Sequence, residues 1–400
     1  MKGQSAVQRV GNCLCMLLIF LFVADPTNTI LHLKIPVFAL FMAFNLLFLK
    51  ADWGKLLYSF IPIIAVLVAW LFAQMRQAVV DYDELKACVT SFMILCFLPW
   101  VRHYDIIALS KIPMLVTALI AITLFWVIVF FPYTEGLIYN FMKAHDHTIM
   151  MSRRVFLGVS MFSMYYKSTA AFMIVLGVAL FSLMKRGEKK LLDILLVAAL
   201  VNMLAISGTR SSMLLPCVLC GCLCLIFMRN RRYLRYIVYP LCIVTAIGLL
   251  VVLVKLLAET GEPSNLVKYG HLESYKVLFS ENPLFLFTGQ GPGTYFFTDG
   301  FHQMTLKTEW TYIEMVRNYG ILCLPILYVL VRPLFVLLRF FNKNDEAIAV
   351  AIAFVIYLVI AGTNPLLLSS TGMLVVLTVY SFVERNCVEP AHENRIACYE

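Results

Sequence analysis

Three short segments hold the residues most able to do chemistry. The first, ISGTRSSML, carries Arg210 in a tight turn between two apolar runs. Ser207 and Gly208 are suited to ending one helix, and Ser211 and Ser212 can cap the next. That next helix would present its free N–H groups and positive dipole end beside the guanidinium, which suits a phosphate. The alternative is an arginine that snorkels to lipid headgroups.

The second segment is GQGPGTYFF, Gly289 to Phe297. Gly289, Gly291 and Gly293 admit positive φ angles and close backbone approach, and Gln290 adds an amide. Such a turn can offer N–H groups to a phosphate or sugar oxygen. A Gly-Pro turn that only shapes a loop fits equally well. No Gly-Lys-Ser/Thr follows, so this is not a P-loop.

The third is KTEWTYIEMVRNYGI, Lys307 to Ile321. Thr311 and Glu314 have capping-box spacing, and Arg317 is placed to pair with Glu314 on one helix face. Glu309 has no such structural task. A carboxylate at the edge of a membrane cavity can take the proton of a sugar hydroxyl as general base; an exposed loop glutamate is the plain alternative. Upstream, Lys268, His271 and Tyr275 extend the candidate binding set. Lys268 and Lys276 add positive charge for a phosphate. His271 is a candidate base or donor, although a lone loop histidine is more often neither.

Neighbouring His145, Asp146 and His147 suggest a metal, but residues one and two apart do not share a helix face, so no metal site is expected. Arg153 and Arg154 suit anionic headgroups. Cys217, Cys220, Cys222 and Cys224 crowd one apolar run and read as small packing residues.

The elements that must position these residues are membrane helices. Hydrophobic residues make up 62% of the 400-residue chain and charged residues only 14%, against roughly 25% in soluble domains. The expected fold is all-α and polytopic. About twelve spans are expected, roughly 10–24, 35–49, 56–74, 87–101, 112–132, 168–185, 191–207, 212–228, 236–257, 311–331, 346–362 and 365–383. The stretch 155–166 is apolar enough to be interfacial or to extend the sixth span. One large polar loop, 258–310, separates transmembrane helices 1–9 (1–257) from helices 10–12 (311–384), and 385–400 is a tail.

Basic residues set the orientation. Lys50, Lys55, Arg102, Lys111, Lys185, Arg186, Lys189, Lys190, the arginines of 229–235, Arg339 and Lys343 all fall in even-numbered connections. These mark the cytoplasmic side, together with both termini. The loops 133–167 and 258–310 and the Arg210 turn then face outward; Lys143, Arg153, Arg154 and Lys167 are exceptions to the charge bias. The net charge of +9 is therefore a topology signal, and no nucleic-acid partner is expected.

SGTRSS, HLESYKVLFSENPLF-x-x-TGQGPGTYF and KTEWTYIEMVRNYGI occur in this order, with the large loop on the outer side. In this the chain resembles the bacterial O-antigen polymerase family, within the O-antigen ligase/polymerase superfamily. The resemblance implies an inner-membrane glycosyltransferase of lipopolysaccharide biosynthesis that uses no cofactor and no metal. Its substrates would be glycans on undecaprenyl (polyprenyl) diphosphate, and membrane lipid and a chain-length-determining membrane protein would be its other partners. Arg210 matches the arginine that holds the diphosphate. Lys268 or His271 falls where a second arginine is usual. Ligases carry a histidine-asparagine pair where this chain has Thr308-Glu309, which favours polymerase and makes Glu309 the base. A ligase acting on lipid A-core and a lipid-linked sugar transporter are the competing expectations; a transporter predicts mid-span polar residues, which are scarce.

Overall fold

The computed structural model describes residues 6–146, 148–156, 159–185, 191–228, 263–340 and 344–388. The ninth expected span, 236–257, lies outside them, as do His147, Arg186, Lys189, Lys190, the arginines of 229–235, Lys343 and the tail beyond 388.

Long apolar runs form helices in the expected order, and tertiary packing carries several of them through an internal proline, Pro62 in Trp53–Met75 and Pro333 in Cys323–Arg339 among them. First come α1 (Ala6–Ala24), α2 (Lys34–Phe48), α3 (Trp53–Met75), α4 (Tyr82–Met93, continued by a 3-10 segment to His103) and α5 (Ile106–Phe130). A short α6 (Glu135–Ala144) precedes an antiparallel strand pair, β1 (Ile149–Phe156) and β2 (Val159–Tyr166). Then come α7 (Phe172–Met184), α8 (Leu191–Ile206) and α9 (Arg210–Met228). The large loop holds α10 (Pro263–Glu281) and a small hairpin, β3 (Phe296–Thr298) and β4 (Gln303–Thr305). The chain ends with α11 (Thr311–Tyr319), α12 (Cys323–Arg339), α13 (Asp345–Gly362) and α14 (Ser370–Val383).

Among the described residues, seven helices are long and apolar enough to cross a membrane, with α11 and α12 joined as one of 29 residues. α2, α7 and α8 are apolar but shorter. The protein is thus a helical polytopic membrane protein.

Two departures from all-α are real. Of the stretch 155–166, expected as interfacial or as an extension of the sixth span, the described residues 155–156 and 159–166 belong to an antiparallel strand pair in which Ser152 pairs with Ser163 and Met150 with Tyr165. Val155, Phe156, Val159, Phe162, Tyr165 and Tyr166 are residue types that favour strands, a preference that mean hydropathy does not register. β3 and β4 form the second ladder, inside the large loop.

The connections sort into two ends. At one end lie the start of α1, Lys50, Lys55, Arg102, His103 and Lys111. There Gln8 donates to the His103 carbonyl, the His103 ring bonds the Lys50 carbonyl, Lys55 pairs with Glu384 at 2.6 Å, and Arg385 pairs with Asp105 at 2.8 Å. At the other end, the connections after α1, α5, α8 and α13 and one side of α4 gather with the large loop around one cavity. This grouping of alternate connections follows from helices that run antiparallel.

Candidate active site

The cavity holds about 1750 Å³, well beyond the roughly 300–1,000 Å³ of common ligand pockets. Its wall is mixed. Apolar residues such as Phe22, Phe38, Ile94, Leu215 and Val359 form one part, while six cationic side chains and four carboxylates line the rest. Among these are Arg210, Lys268 and Glu309.

Arg210 is the first residue of α9. The turn before it is fixed by Ser207, whose hydroxyl donates to the Leu204 carbonyl, and by Gly208, which sits against Ser163 of β2. Ser211 and Ser212 do not cap the helix, since α9 has begun one residue earlier. The guanidinium of Arg210 donates to the Asn265 side-chain carbonyl at 3.4 Å. Asn265 belongs to the first turn of α10, and Lys268 follows it on the same face of that helix. The Lys268 ammonium pairs with Glu309 Oε2 at 3.3 Å. One turn of α10 therefore bridges the arginine and the carboxylate, so three residues far apart in sequence share one polar wall.

Glu309 is held from both sides. Trp310 donates its indole N–H to the Lys268 carbonyl at 3.0 Å. Thr308 is hydrogen-bonded to the Tyr275 hydroxyl at 2.6 Å. The Glu309 side chain retains 38% exposure, enough to meet a ligand in the cavity.

The remaining expected site residues do not line the cavity. Arg317 is fully buried and braces the loop. It pairs with Glu314, donates to the Gln290 side chain at 2.7 Å and to the Leu306 carbonyl at 2.8 Å, and lies over the Phe296 ring at 4.4 Å. Every edge of its guanidinium is occupied inside the protein, so it cannot also hold a phosphate. Glu314 reaches Arg317, Tyr275 and Asn318 instead of closing a capping box, and Thr311 donates to the Asn364 carbonyl. The tertiary pairing displaced the local one. Tyr275 is buried against Glu314 and Thr308, and burial followed by the Glu314 charge raises its hydroxyl pKa. It positions Thr308 and does not touch the cavity. His271 is buried, bonded to the Thr298 hydroxyl at 2.5 Å and edge-on to Phe301. Burial lowers its pKa, opposed by Glu309 and Glu314.

The glycine turn is a second correction. The Gly289 N–H bonds the Phe285 carbonyl, Gln290 N–H the Arg317 carbonyl, and Gly291 N–H the Asn318 carbonyl. Those donors are unavailable to a phosphate. Gly289 (φ 71°) lies against the Asn318 backbone and Gly293 (φ 77°) against the Asp81 carbonyl, where a side chain has no room. The turn is a clasp between the large loop, α11 and the connection after α3.

Arg76 completes that clasp and carried no signal in the sequence beyond its place in an odd-numbered connection. It donates to the carbonyls of Gly289 at 2.7 Å and Gln290 at 2.9 Å, and to the Thr288 hydroxyl at 2.6 Å. Lys307 pairs with Glu84 at 2.6 Å on the cavity wall. Burial alone would lower the Lys307 pKa, but Glu84 outweighs it and the pKa is raised.

His145 takes a structural part as well: its ring bonds the Thr29 carbonyl at 2.8 Å. No group of three or more metal-ligating side chains occurs among the described residues. The cysteines Cys217 and Cys220 are exposed on α9, and Cys222 and Cys224 partly so. No family model, characterised protein or solved structure matches this chain.

Proposed function

We propose that the protein is a bacterial inner-membrane glycosyltransferase that polymerises polyprenyl-diphosphate-linked repeat units into O-antigen or a related surface polysaccharide. On this reading it has twelve spans, its termini are cytoplasmic, and the cavity opens to the periplasm. One observation carries the reading. A membrane-edge guanidinium, Arg210, shares a cavity wall with a partly exposed carboxylate, Glu309, and α10 spans the two through Asn265 and Lys268.

The chemistry fits those groups. A hydroxyl oxygen of one lipid-linked unit attacks the anomeric carbon of the other unit's glycan. The bond from that carbon to the diphosphate oxygen breaks, and the polyprenyl diphosphate leaves with the electron pair. Glu309 takes the hydroxyl proton. Arg210 and the N-terminus of α9 stabilise the charge that grows on the leaving diphosphate. The mixed wall suits a substrate that is half polyprenyl and half sugar phosphate.

Purified protein supplied with lipid-linked repeat units alone tests this. Chain extension supports polymerase; a strict need for lipid A-core would identify a ligase. No glycosidic product under either condition would favour a transporter.

A further inference from the structure

Lys34 stands at the first residue of α2, in a connection where sequence rules give no reason for a cation. Its side chain is only 6% exposed, yet it lines the cavity. The ammonium donates to the Pro26 carbonyl at 2.6 Å, reaches the Ser370 hydroxyl at 3.5 Å, and faces the Phe22 ring at 5.4 Å. Among the described residues it has no ion-pair partner. The nearby Asp25 carboxylate attracts the ammonium through space, but its oxygens accept hydrogen bonds from the backbone N–H groups of Thr29, Ile30 and Leu31 and none from Lys34. A buried cation so weakly compensated is costly to keep. An anion from the cavity would repair the deficit.

The surroundings say what kind of anion. Ile35 and Phe38 continue the cavity wall along α2 from Lys34. Ile35 is 66% exposed and Leu46, about three turns further along the same side of α2, 56%, so this wall runs into a side of α2 that has no protein cover. A hydrocarbon chain can lie there while its headgroup reaches inward. Inorganic anions have no use for such a wall.

We propose that the Lys34 ammonium is an anion subsite, separate from Arg210, that takes the phosphate of an amphiphile whose hydrocarbon lies along α2. The proposal needs only the cavity and Lys34, and stands whether or not glycan transfer occurs. Membrane phospholipid and polyprenyl phosphate share the required chemistry.

The test uses full-length protein in detergent and measures binding of polyprenyl monophosphate, phosphatidylglycerol, inorganic phosphate and uncharged polyprenol by native mass spectrometry. Lys34→Gln should weaken binding of a phosphate amphiphile by about tenfold or more, the scale of one lost hydrogen bond to a charged group. Lys34→Arg should retain most of it, and polyprenol should bind both forms alike. Preference for phosphatidylglycerol would make the occupant a structural lipid; preference for polyprenyl phosphate would make it a carrier lipid. Inorganic phosphate competing as well as either amphiphile would overturn the hydrocarbon part of the proposal. Unchanged amphiphile binding in Lys34→Gln would overturn the whole. Should that variant not fold, polyprenyl phosphate with a photoreactive group beside its phosphate should label the Pro26–Phe38 peptide of the native protein. Labelling confined to other segments would contradict the subsite.

Discussion

Lys268 and Glu309 form an ion pair of 3.3 Å on the wall of the cavity that also holds Arg210. The pair fixes the carboxylate while leaving it partly open to the cavity. Glu309→Gln removes the proposed proton acceptor and keeps the shape, so under the proposed function polymer synthesis should fall by about 10²–10⁴-fold with unchanged expression and melting temperature. Lys268→Ala should have a smaller effect, and Lys268→Arg should restore most activity. Equal loss in Ala and Arg variants would show that the lysine does more than hold Glu309.

Arg317 belongs to the scaffold. Its loss leaves Glu314 buried without a counter-charge and unties Gln290, Thr294 and Leu306. Removing one partner of a buried pair costs about 3–5 kcal/mol. Arg317→Ala should therefore lower the melting temperature and open the large loop to protease. A stable Arg317→Ala protein with no activity would instead return this residue to substrate binding.

The clasp gives a backbone prediction. Gly289→Ala places a Cβ on the Asn318 carbonyl at positive φ, whereas a Cβ at Gly221 on α9 meets nothing within 4 Å. Gly289→Ala should destabilise by more than about 2 kcal/mol; Gly221→Ala should be neutral or mildly stabilising. Thermal melts of both variants check this, and equal melting temperatures would contradict the clasp.

His271 predicts a pH effect on stability. Burial holds its folded pKa below the ordinary value of about 6.5. Below that pH the unfolded chain binds the proton more readily than the folded one. Stability from this residue is thus present above about pH 6.5 and declines as pH falls from there through the folded pKa. The melting temperature should drop between about pH 7.5 and 5.5, and less so in His271→Gln. An identical drop in both would place the titration elsewhere.

Much of the helical frame was legible because apolar length is a local property; Trp53–Met75 and Asp345–Gly362 lie where hydropathy put them. The Arg210 turn was legible too, as a charged, serine- and glycine-containing break between two apolar runs. What sequence left hidden is long-range. Arg76 meets the glycine turn across more than 200 residues, and no local pattern announces it. Glu314 and Thr311 obeyed a local capping rule until buried Arg317 offered a stronger partner. The glycines promised donors, and the fold consumed those donors in backbone hydrogen bonds. Lys34 was within reach, as a lone cation in an odd-numbered connection.

Surface glycan resolved on a gel is the most direct test, comparing cells that carry the native protein, Arg210→Ala or Glu309→Gln at matched membrane levels. Polymerase action at the Arg210–Glu309 wall predicts a ladder from the native protein and a single repeat unit from each variant. A full ladder from both variants would contradict it.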